Sequence, residues 1–554
     1  MKTKWCVLVL LLWQSSILTA DIRAFRFSRK GVSSTSYLTR MVSIDHVDKD
    51  SITAYANDRE WKAFLQMNIP YRLLTPVRTS KGPDMTDEDL RDIQWSKYPT
   101  YPAYLALMAS FKKEYPEICR IDTLGYSVQG RLLIAAEISG NLKEKEEKPG
   151  FFYTAQMHGD ETATSVLMLR LIDTLLSSYA DSSDIWRLVE ETRIWINPLA
   201  NPDGAYFTSD STLDGCIRYN ANEEDLNRNF PDARHVPNPN TSPRQPETLA
   251  MMAFAEKNRL HLSANFHAGN ECVNYPWDST PDRHPETNWF ISISREYADT
   301  VRFYAPDDYF NEFNEGVTNG WDWYAIYGGR QDFMNDYHSC KEVTIEISDI
   351  KQYPAGQLDD LWNYHKRSLL HFIKRVHEGL KGDFRTREQL PETVEILNLP
   401  GVVIPLEASD SLFFYPLETG KYDICLHYPD RTDTLFQVEV QPYLLTDITR
   451  IPVHTDTPPY TPETFVLNPP YPNPFNPETA IQLYTSTPQK TSLIIYNIQG
   501  CQIKTLYKEF LPAGTHTFRW DGTQDNGKEV SSGIYIISAE NNRQTVRQKA
   551  VIIR

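Results

Sequence analysis

Between about Ser96 and Gly379 the chain alternates short apolar runs with longer stretches of helical periodicity. Each apolar run has the length of a strand and ends in polar or glycine-rich residues; the runs are RLLIAAEIS, GFFYTAQM, TRIWINPL, HLSANFH and EVTIEIS. Such runs are typical of strands buried on both faces and covered by helices. The pattern therefore predicts an α/β fold with a mixed sheet flanked by helices. Residues that follow strands line ligand sites in such folds, so the polar residues at the ends of the runs are the first candidates for chemistry.

After Gly379 the helical periodicity fades, and short β-type runs separated by turn residues replace it. We therefore expect two small all-β, sandwich-like domains behind the α/β domain, joined by a proline-rich linker. The predicted boundaries are a signal peptide at 1–20, an N-terminal segment and candidate prodomain at 21–92, the α/β domain at 93–382, a small β-sandwich at 383–447, the linker at 448–464 and a C-terminal β-sandwich at 465–554.

The first residues have the charge order of an export signal. Lys2 and Lys4 precede an apolar run at 5–13 that is too short to cross a bilayer, and Ala20 is a small residue at the predicted cleavage point. A buried helix is the alternative and fits this charge order less well. No later stretch has about 18 consecutive apolar residues, so no transmembrane segment is expected. The protein is predicted to be secreted or held at a bacterial cell surface.

Composition narrows the class of partner. Hydrophobic residues make up 41% of the chain and charged residues 23%, which is typical of globular proteins. The formal net charge of -17 argues against nucleic acid, because neutralising phosphates requires an excess of basic residues. Six cysteines remain after the signal and none forms a CxxC pair, so disulfides and buried free thiols are equally open.

The stretch AQMHGDET holds a histidine and a glutamate spaced to share one metal ion. His158 and Glu161 follow one apolar run and precede a helical one. Alone this spacing is weak evidence, because acidic residues also favour the positive end of a helix dipole. His267, at the end of HLSANFH, is a third candidate ligand, although a core histidine is the commoner case. Two histidines and one glutamate form the ligand set of a catalytic zinc site, which predicts one Zn²⁺ ion as cofactor.

A catalytic zinc site also needs a general base and charged side chains that bind the substrate. In EVTIEIS the strand period places Glu346 and Thr344 on the face opposite the valine and isoleucines. Glu346 is either a buried carboxylate with a function or an edge-strand glutamate that faces water. The segment IRYNANEEDLNRNFPD holds Arg218, Asn227 and Arg228, and arginine forks suit carboxylates. A polar surface loop is the alternative for that segment.

Five stretches together give the chain a family resemblance. It resembles the zinc metallocarboxypeptidases, and within them the carboxypeptidase N/E-like branch more than the digestive branch. The resemblance covers roughly residues 95–380, in the family's order. The stretches are HGDE (158–161), RYNANEEDLNRNFPD (218–232), SANFHAGNECVNYPWD (263–278), WYAIYGGRQDF (323–333) and EVTIEIS (342–348).

The resemblance implies a role for each matched residue. His158, Glu161 and His267 would bind zinc, and Glu346 would be the general base and then the proton donor to the leaving amine. The remaining matches would act on the substrate: Arg218 on the oxyanion, Asn227 and Arg228 on the terminal carboxylate, and Tyr324 as the family's mobile tyrosine. Tyr337 lies nearer Glu346 in the chain and competes with Tyr324, but its local context matches less well.

Two further matches bear on specificity. Asp278 stands where the resembling branch has its pocket for the last side chain, and Gln331 matches a second pocket position. A carboxylate there would pair with lysine or arginine, so basic C-termini of peptides or proteins are the expected substrates. An ordinary turn aspartate before Ser279 is the alternative.

The last segment resembles the β-sandwich modules that direct bacterial proteins to type IX secretion or the cell surface. The resemblance rests on NPPYPNPFNPETAI, LIIYNIQG and HTFRWDGTQDNGKEVSSGIYII, and it implies the secretion machinery as a partner. An adhesion or spacer module is the alternative. Residues 383–447 stand where the N/E-like branch has a small transthyretin-like sandwich, which is an analogy of position only.

Three hypotheses for function follow. The first is a secreted zinc metallocarboxypeptidase that removes C-terminal Lys or Arg. The second is a zinc hydrolase of cell-wall peptides, in which Asp278 would meet the amine of a diamino acid. The third is an inactive cell-surface binding protein with a carboxypeptidase-like domain. The intact set His158, Glu161, His267 and Glu346 argues against the third.

Overall fold

The structure is a computed structural model that describes residues 22–30, 35–74, 83–142, 148–235, 242–384, 390–399, 401–406, 412–429, 433–449, 465–468, 470, 472–485, 488–512, 514–541 and 545–553. The predicted signal peptide at 1–20 and residues 450–464 of the predicted linker lie outside these ranges. The chain forms two compact units, the first ending at residue 452 and the second starting at residue 453.

The N-terminal segment is a small antiparallel sheet packed with a short helix. Its sheet order is β2-β3-β1-β4. Helix α2 begins at an Asn57 cap, and Glu60 completes a capping box. The elements are β1 (Arg23–Ser28), α1 (Thr35–Leu38), β2 (Ser43–Val47), β3 (Ser51–Ala56), α2 (Asp58–Leu65) and β4 (Tyr71–Leu73).

An eight-stranded mixed sheet forms the centre of the first unit, and its order is β13-β12-β14-β11-β9-β10-β8-β7. A two-stranded pair, β5 (Met85–Thr86) and β6 (Tyr98–Pro99), precedes it. The strands are β7 (Cys119–Tyr126), β8 (Leu132–Ile138), β9 (Gly150–Ala155), β10 (Arg193–Asn197), β11 (Leu262–His267), β12 (Asn270–Tyr275), β13 (Val317–Asn319) and β14 (Lys341–Ser348). The three central strands β9, β11 and β14 are buried at every residue, as their continuous apolar runs predict.

Helices accompany this sheet and share its core. Leu171 on α4, Tyr297 on α8 and Phe372 on α12 are fully or almost fully buried in that core. The helices are α3 (Tyr101–Glu114), α4 (Ala163–Ser177), α5 (Ser183–Glu191), α6 (Pro202–Ala205), α7 (Pro246–Lys257), α8 (Thr287–Tyr304), α9 (Glu312–Glu315), α10 (Gly320–Trp323), α11 (Arg330–His338) and α12 (Leu358–Lys374). The predicted α/β fold with a mixed sheet flanked by helices is confirmed.

Two small sheets with their own core complete the first unit. Their orders are β18-β15-β21 and β17-β16-β19-β20. The strands are β15 (Gly379–Asp383), β16 (Thr393–Ile396), β17 (Val403–Pro405), β18 (Leu412–Pro416), β19 (Gly420–His427), β20 (Thr434–Val440) and β21 (Leu445–Asp447). Strand β15 begins before the predicted domain boundary at residue 383, and the boundaries given above remain predictions.

The described residues of the second unit form only β-strands and their connections, in sheets of order β22-β23-β26 and β25-β24-β27-β28 around a core of their own. Its strands are β22 (Phe465–Leu467), β23 (Thr479–Thr485), β24 (Gln489–Asn497), β25 (Gln502–Leu511), β26 (Gly514–Trp520), β27 (Gly533–Glu540) and β28 (Thr545–Ile552). The expectation of β-rich regions behind the α/β domain is confirmed. Among the described residues, no helix combines the length and the apolar character needed to cross a membrane.

Candidate active site

The candidate metal ligands lie where parallel strands end at one edge of the sheet. Strands β9, β11 and β14 are parallel neighbours, and the register sets His267, the last residue of β11, opposite Glu346. His158 and Glu161 follow β9 in the loop that leads to α4. The carboxyl ends of parallel strands meet at one edge, so residues 109 positions apart come into contact.

Three side chains from this edge converge on one point. His158 Nδ1 lies 2.8 Å from Glu161 Oε1, and His267 Nδ1 lies 2.9 Å from Glu161 Oε2. The two imidazole Nδ1 atoms are 3.1 Å apart, and all three residues are buried. Two imidazole nitrogens and a carboxylate that converge in this way place three ligand atoms around one point, where a cation can sit. This donor set fits zinc, with a further coordination position left for water or substrate.

The protonation states of His267 and Glu161 suit metal binding, whereas, although burial and Arg218 oppose it, Glu161 and Asp225 raise the pKa of His158. Burial lowers the pKa of His267 to about 4, so its imidazole is neutral near pH 7. Burial opposes ionisation of Glu161, yet His158 and His267 hold its pKa well below the ordinary value. A neutral imidazole and an ionised carboxylate are the forms that ligate divalent ions.

The other ring nitrogen of each histidine has a partner. Asp225 Oδ1 lies 3.1 Å from His158 Nε2, and Asn265 Nδ2 lies 2.7 Å from His267 Nε2. Although burial opposes it, Arg218 and His158 keep the pKa of Asp225 well below its usual range. A carboxylate on the outer nitrogen of a ligand histidine fixes its ring and raises its basicity.

Glu346 borders the site without belonging to the ligand cluster. Its side chain lines the cavity beside His267, and its Oε2 makes no hydrogen bond to any described residue. Burial, with the Glu161 carboxylate nearby, raises the pKa of Glu346 well above its ordinary value. A carboxylate with one unpartnered oxygen next to a metal position has the placement that a general base requires.

Arg218 lies directly beside the ligands. Its Nη1 is 3.1 Å from His158 Nδ1 and 3.7 Å from Glu161 Oε1, while its Nε is 3.1 Å from Asp225 Oδ2. The guanidinium is almost completely buried, so its charge is weakly screened. This position suits a group that stabilises negative charge developing next to the metal.

Asn227 and Arg228 lie on a short 3₁₀ turn, Leu226–Arg228, that follows Asp225. The Asn227 amide N–H donates to Asp225 Oδ1 at 2.9 Å, which caps the turn. Both side chains line the cavity with the ligands. Asp225 therefore orders His158 and this turn together.

Asp278 and Gln331 lie behind the cavity wall. Asn274 lines the cavity, and its amide donates to Asp278 Oδ1 at 3.1 Å, as Gln331 Nε2 does at 3.0 Å. Burial, with Asp332 adjacent, raises the pKa of Asp278 well above its ordinary value. Among the described residues no basic side chain forms an ion pair with Asp278. A Cβ at Gly320 would fall 1.8 Å from Asp278 Oδ1, so the carboxylate occupies space that glycine leaves open.

Tyr324 lines the cavity, whereas Tyr337 does not. Tyr324 is 5% exposed and packs edge-on against Trp323 with ring centroids 4.9 Å apart. Burial raises its pKa. Tyr337 lies on α11 with 49% of its surface exposed. Of the two tyrosines, the structure brings only Tyr324 to the candidate ligands.

The sequence did not reveal several residues of this cavity. Some of them had a partial signal: the alternation of EVTIEIS places Thr344 on the face of Glu346, and the resembling segments contain Asn270 and Asn274. No pattern in the sequence predicted that the N-terminal segment contributes to the cavity. The additional lining residues are Asp45, Ala268, Asn270, Asn274, Trp323, Ile326 and Thr344.

Comparison with known proteins adds two family matches and several relatives. A family described as "Zinc carboxypeptidase" matches residues 104–368, and one described as "FlgD Ig-like domain" matches residues 474–545. Carboxypeptidase M of Mus musculus is 34% identical over 57% of this chain and 72% of that protein. The carboxypeptidase N catalytic chain of Homo sapiens is 31% identical over 52% of this chain and 70% of that protein.

Carboxypeptidase D of Mus musculus is more similar in sequence but much longer. It is 38% identical over 51% of this chain, and the matched part is 21% of that protein. The chain therefore spans about a fifth of the length of that relative.

Proposed function

Since the chain belongs to the zinc carboxypeptidase family, we propose that it hydrolyses the C-terminal bond of peptides or proteins and releases Lys or Arg. The observation that carries this proposal is the buried convergence of His158, Glu161 and His267 with Arg218, at contacts of 2.8 to 3.1 Å. Glu346 completes the set from the neighbouring strand.

Each group has one chemical task. Zinc, when held by the two histidines and Glu161, supplies Lewis acidity that lowers the pKa of water toward ~7 and polarises a carbonyl. Glu346 takes the proton of the attacking water and returns it to the leaving amine. Arg218 donates to the oxyanion as it develops. Asn227 and Arg228 bind the terminal carboxylate and so decide which bond is cut.

Basic specificity is supported by an unpaired buried acid. Asp278 is held by the amides of Asn274 and Gln331 and makes no direct ion pair with a basic side chain among the described residues, although Arg228 is near enough to attract its charge. A lysine or arginine side chain that displaces those amides would give the carboxylate its counter-ion in a site shielded from water.

Replacing Asp278 with Asn tests this pocket. The substitution keeps the volume and removes the charge, so we expect kcat/KM for C-terminal Lys or Arg to fall roughly 100-fold. Activity on a C-terminal Phe peptide is expected to rise or stay the same. The matched control is Asp282→Asn, an exposed aspartate of the same loop. An unchanged Arg-to-Phe ratio in Asp278→Asn would mean that another residue selects the substrate.

The proposed reaction is tested with peptides that differ only in the last residue: Lys, Arg, Phe, Glu and diaminopimelate. Mass spectrometry of the products, with and without a zinc chelator, distinguishes the three hypotheses. Chelator-sensitive loss of one Lys or Arg supports the proposal. Preference for diaminopimelate would favour a cell-wall peptide hydrolase, and no cleavage before or after removal of residues 21–92 would favour a binding protein.

We also propose that residues 21–92 are a prodomain that covers the substrate cavity. Ser43 on β2 accepts a hydrogen bond from Arg218 Nε at 2.8 Å and donates to Asp225. Asp45, two residues on, lies 3.3 Å from Arg218 Nη1, pairs with Lys351, and lines the cavity. These contacts join the segment to the residues that would hold the oxyanion and orient His158.

The C-terminal unit supports a proposal about location. We propose that residues 465–554 are a module that directs the exported protein to a bacterial secretion machinery of the type IX class or to the cell surface. The FlgD Ig-like match over 474–545 and the separate all-β core are consistent with an appended module.

Deletion of residues 465–554 is expected to leave kcat/KM on peptides unchanged. In a bacterial host that exports the full-length chain, the truncated protein is expected to stay inside the cell. Immunoblots of the cells, the cell surface and the medium measure where each protein is found. Full-length protein is the control. Equal export of both chains would instead indicate a spacer or adhesion module.

A further inference from the structure

A second cluster of metal-ligand side chains lies on the four-stranded sheet of the small β region, away from the candidate active site. Strands β16 and β19 are antiparallel, and the register sets Glu395 opposite Cys425. Ile424 and Leu426 point into the core, so Cys425 and His427 share the other face with Glu395. Asp433 precedes β20, the next strand of the same sheet, and completes the cluster.

The side-chain atoms are close enough to share an ion. His427 Nδ1 lies 2.9 Å from Asp433 Oδ2 and 3.9 Å from Cys425 Sγ. One ligand atom from each of Cys425, His427 and Asp433 lies within 4.8 Å of the others. On the opposite edge of the imidazole, Nε2 lies 2.8 Å from Glu395 Oε2.

We propose that Cys425, His427 and Asp433 bind a second divalent transition metal of the zinc type, with water completing the tetrahedron. Thiolate, imidazole and carboxylate are established zinc ligands. Glu395 then plays the part that Asp225 plays at the first site, because it fixes the outer nitrogen of a ligand histidine. The His427–Asp433 separation of 2.9 Å is that of the first site, where the ligand nitrogens and oxygens are 2.8 to 3.1 Å apart, and the sulfur lies further out at 3.9 Å from the imidazole.

The alternative to a metal site is a set of ion pairs around a protonated histidine, and it explains fewer of these contacts. A protonated His427 between two carboxylates accounts for Glu395 and Asp433, but these side chains are 35% and 47% exposed, where ion pairs contribute little. It gives no role to Cys425, a buried free thiol whose sulfur faces the same imidazole nitrogen. Burial raises the pKa of that thiol to about 11, so metal binding at neutral pH would release its proton to solvent.

Cobalt(II) distinguishes the two sites in the full-length chain. None of the ligands of the first site contains sulfur, so a thiolate-to-cobalt charge-transfer band reports the second site alone. We expect metal-free protein to take up two equivalents of cobalt and to show this band, and native mass spectrometry of zinc-loaded protein to count two ions.

Variants assign the ligands. Cys425→Ser and His427→Ala are each expected to abolish the band and to leave one equivalent bound, with peptidase activity retained. Cys501→Ser, an exposed cysteine of the second unit, is the control and should keep the band. One equivalent without a band in the wild-type protein would overturn the proposal, as would a band that survives Cys425→Ser. The number of metal ions bound by the wild-type protein tests the proposal even if a variant does not fold.

Discussion

Replacing Glu346 with Gln will leave zinc bound and lower kcat by roughly 10²- to 10⁴-fold, the usual contribution of a general base. Glutamine preserves the shape of the side chain and so the packing of β14, which is buried throughout. It cannot accept a proton from water. Since the ligand atoms belong to His158, Glu161 and His267, the metal content should not change.

The measurement pairs single-turnover or steady-state cleavage of an arginine-ended peptide with metal analysis of the same sample. Glu271→Gln is the matched control, because Glu271 lies on the adjacent strand β12, accepts from the Phe310 amide at 2.9 Å and does not line the cavity. Glutamine can make the same contact there, so activity should stay near that of the wild-type protein.

Two outcomes would contradict the assignment of Glu346. If the variant binds zinc and keeps kcat within about tenfold, another group accepts the proton. If zinc is lost, Glu346 acts as a ligand, and the donor set differs from the two-histidine, one-glutamate cluster. His158→Ala provides the reference for metal loss.

Residues whose positions follow from a local pattern could be predicted from the sequence. The continuous apolar runs predicted the buried strands β9, β11 and β14, and the polar residue at the end of a run predicted the position of His267. The alternation of EVTIEIS predicted the face that Glu346 presents. These inferences depend on strand period and on the rule that parallel strands end at one edge, and both are local or topological.

Other residues of the site depend on contacts that no local pattern reports. Asp45 meets Arg218 across 173 positions, and it belongs to a segment whose sequence carries no catalytic motif. Asp225 lies inside a matched stretch, but its contact with His158 Nε2 spans 67 positions and joins the cap of the 3₁₀ turn to the loop after β9. The Cys425 cluster arises from strand register, which the short β runs did not fix.

Cutting the chain within residues 75–82 will raise peptidase activity if the N-terminal segment is a prodomain. These residues lie between β4 and β5 in the chain and include Arg78 and Lys81, the residue types that trypsin recognises, so trypsin treatment with the cleaved bond identified by mass spectrometry is a direct test. If docking favours the closed arrangement by ~3 kcal/mol, about 1% of molecules are open, and release raises kcat/KM about 100-fold. Activity of the nicked protein should rise further on dilution.

The ion pairs of Asp45 at the cavity should contribute part of the inhibition by the N-terminal segment. Asp45 lies between Arg218 and Lys351, and Tyr55 adds a cation–π contact 4.9 Å from Lys351 Nζ. Asp45→Ala removes one acidic partner from each of two basic groups, while Arg218 keeps Asp225 and Lys351 keeps Asp160. The cost at this buried interface is therefore about 2 kcal/mol, the lower end for a broken charge pair. We therefore expect the uncut Asp45→Ala chain to be about 10- to 100-fold more active than the uncut wild-type chain.

Asp48→Ala is the matched control, because Asp48 bonds within its own segment, to Ser51 and His46, and should not alter the closed arrangement. Apolar contacts also hold the segment, since Phe25 and Ile44 share a core with Trp323 and Tyr324. Asp45→Ala should therefore activate less than cleavage followed by dilution. If cleavage and dilution instead abolish activity while zinc stays bound, Asp45 and its segment belong to the working site, and the opening of the cavity must lie elsewhere.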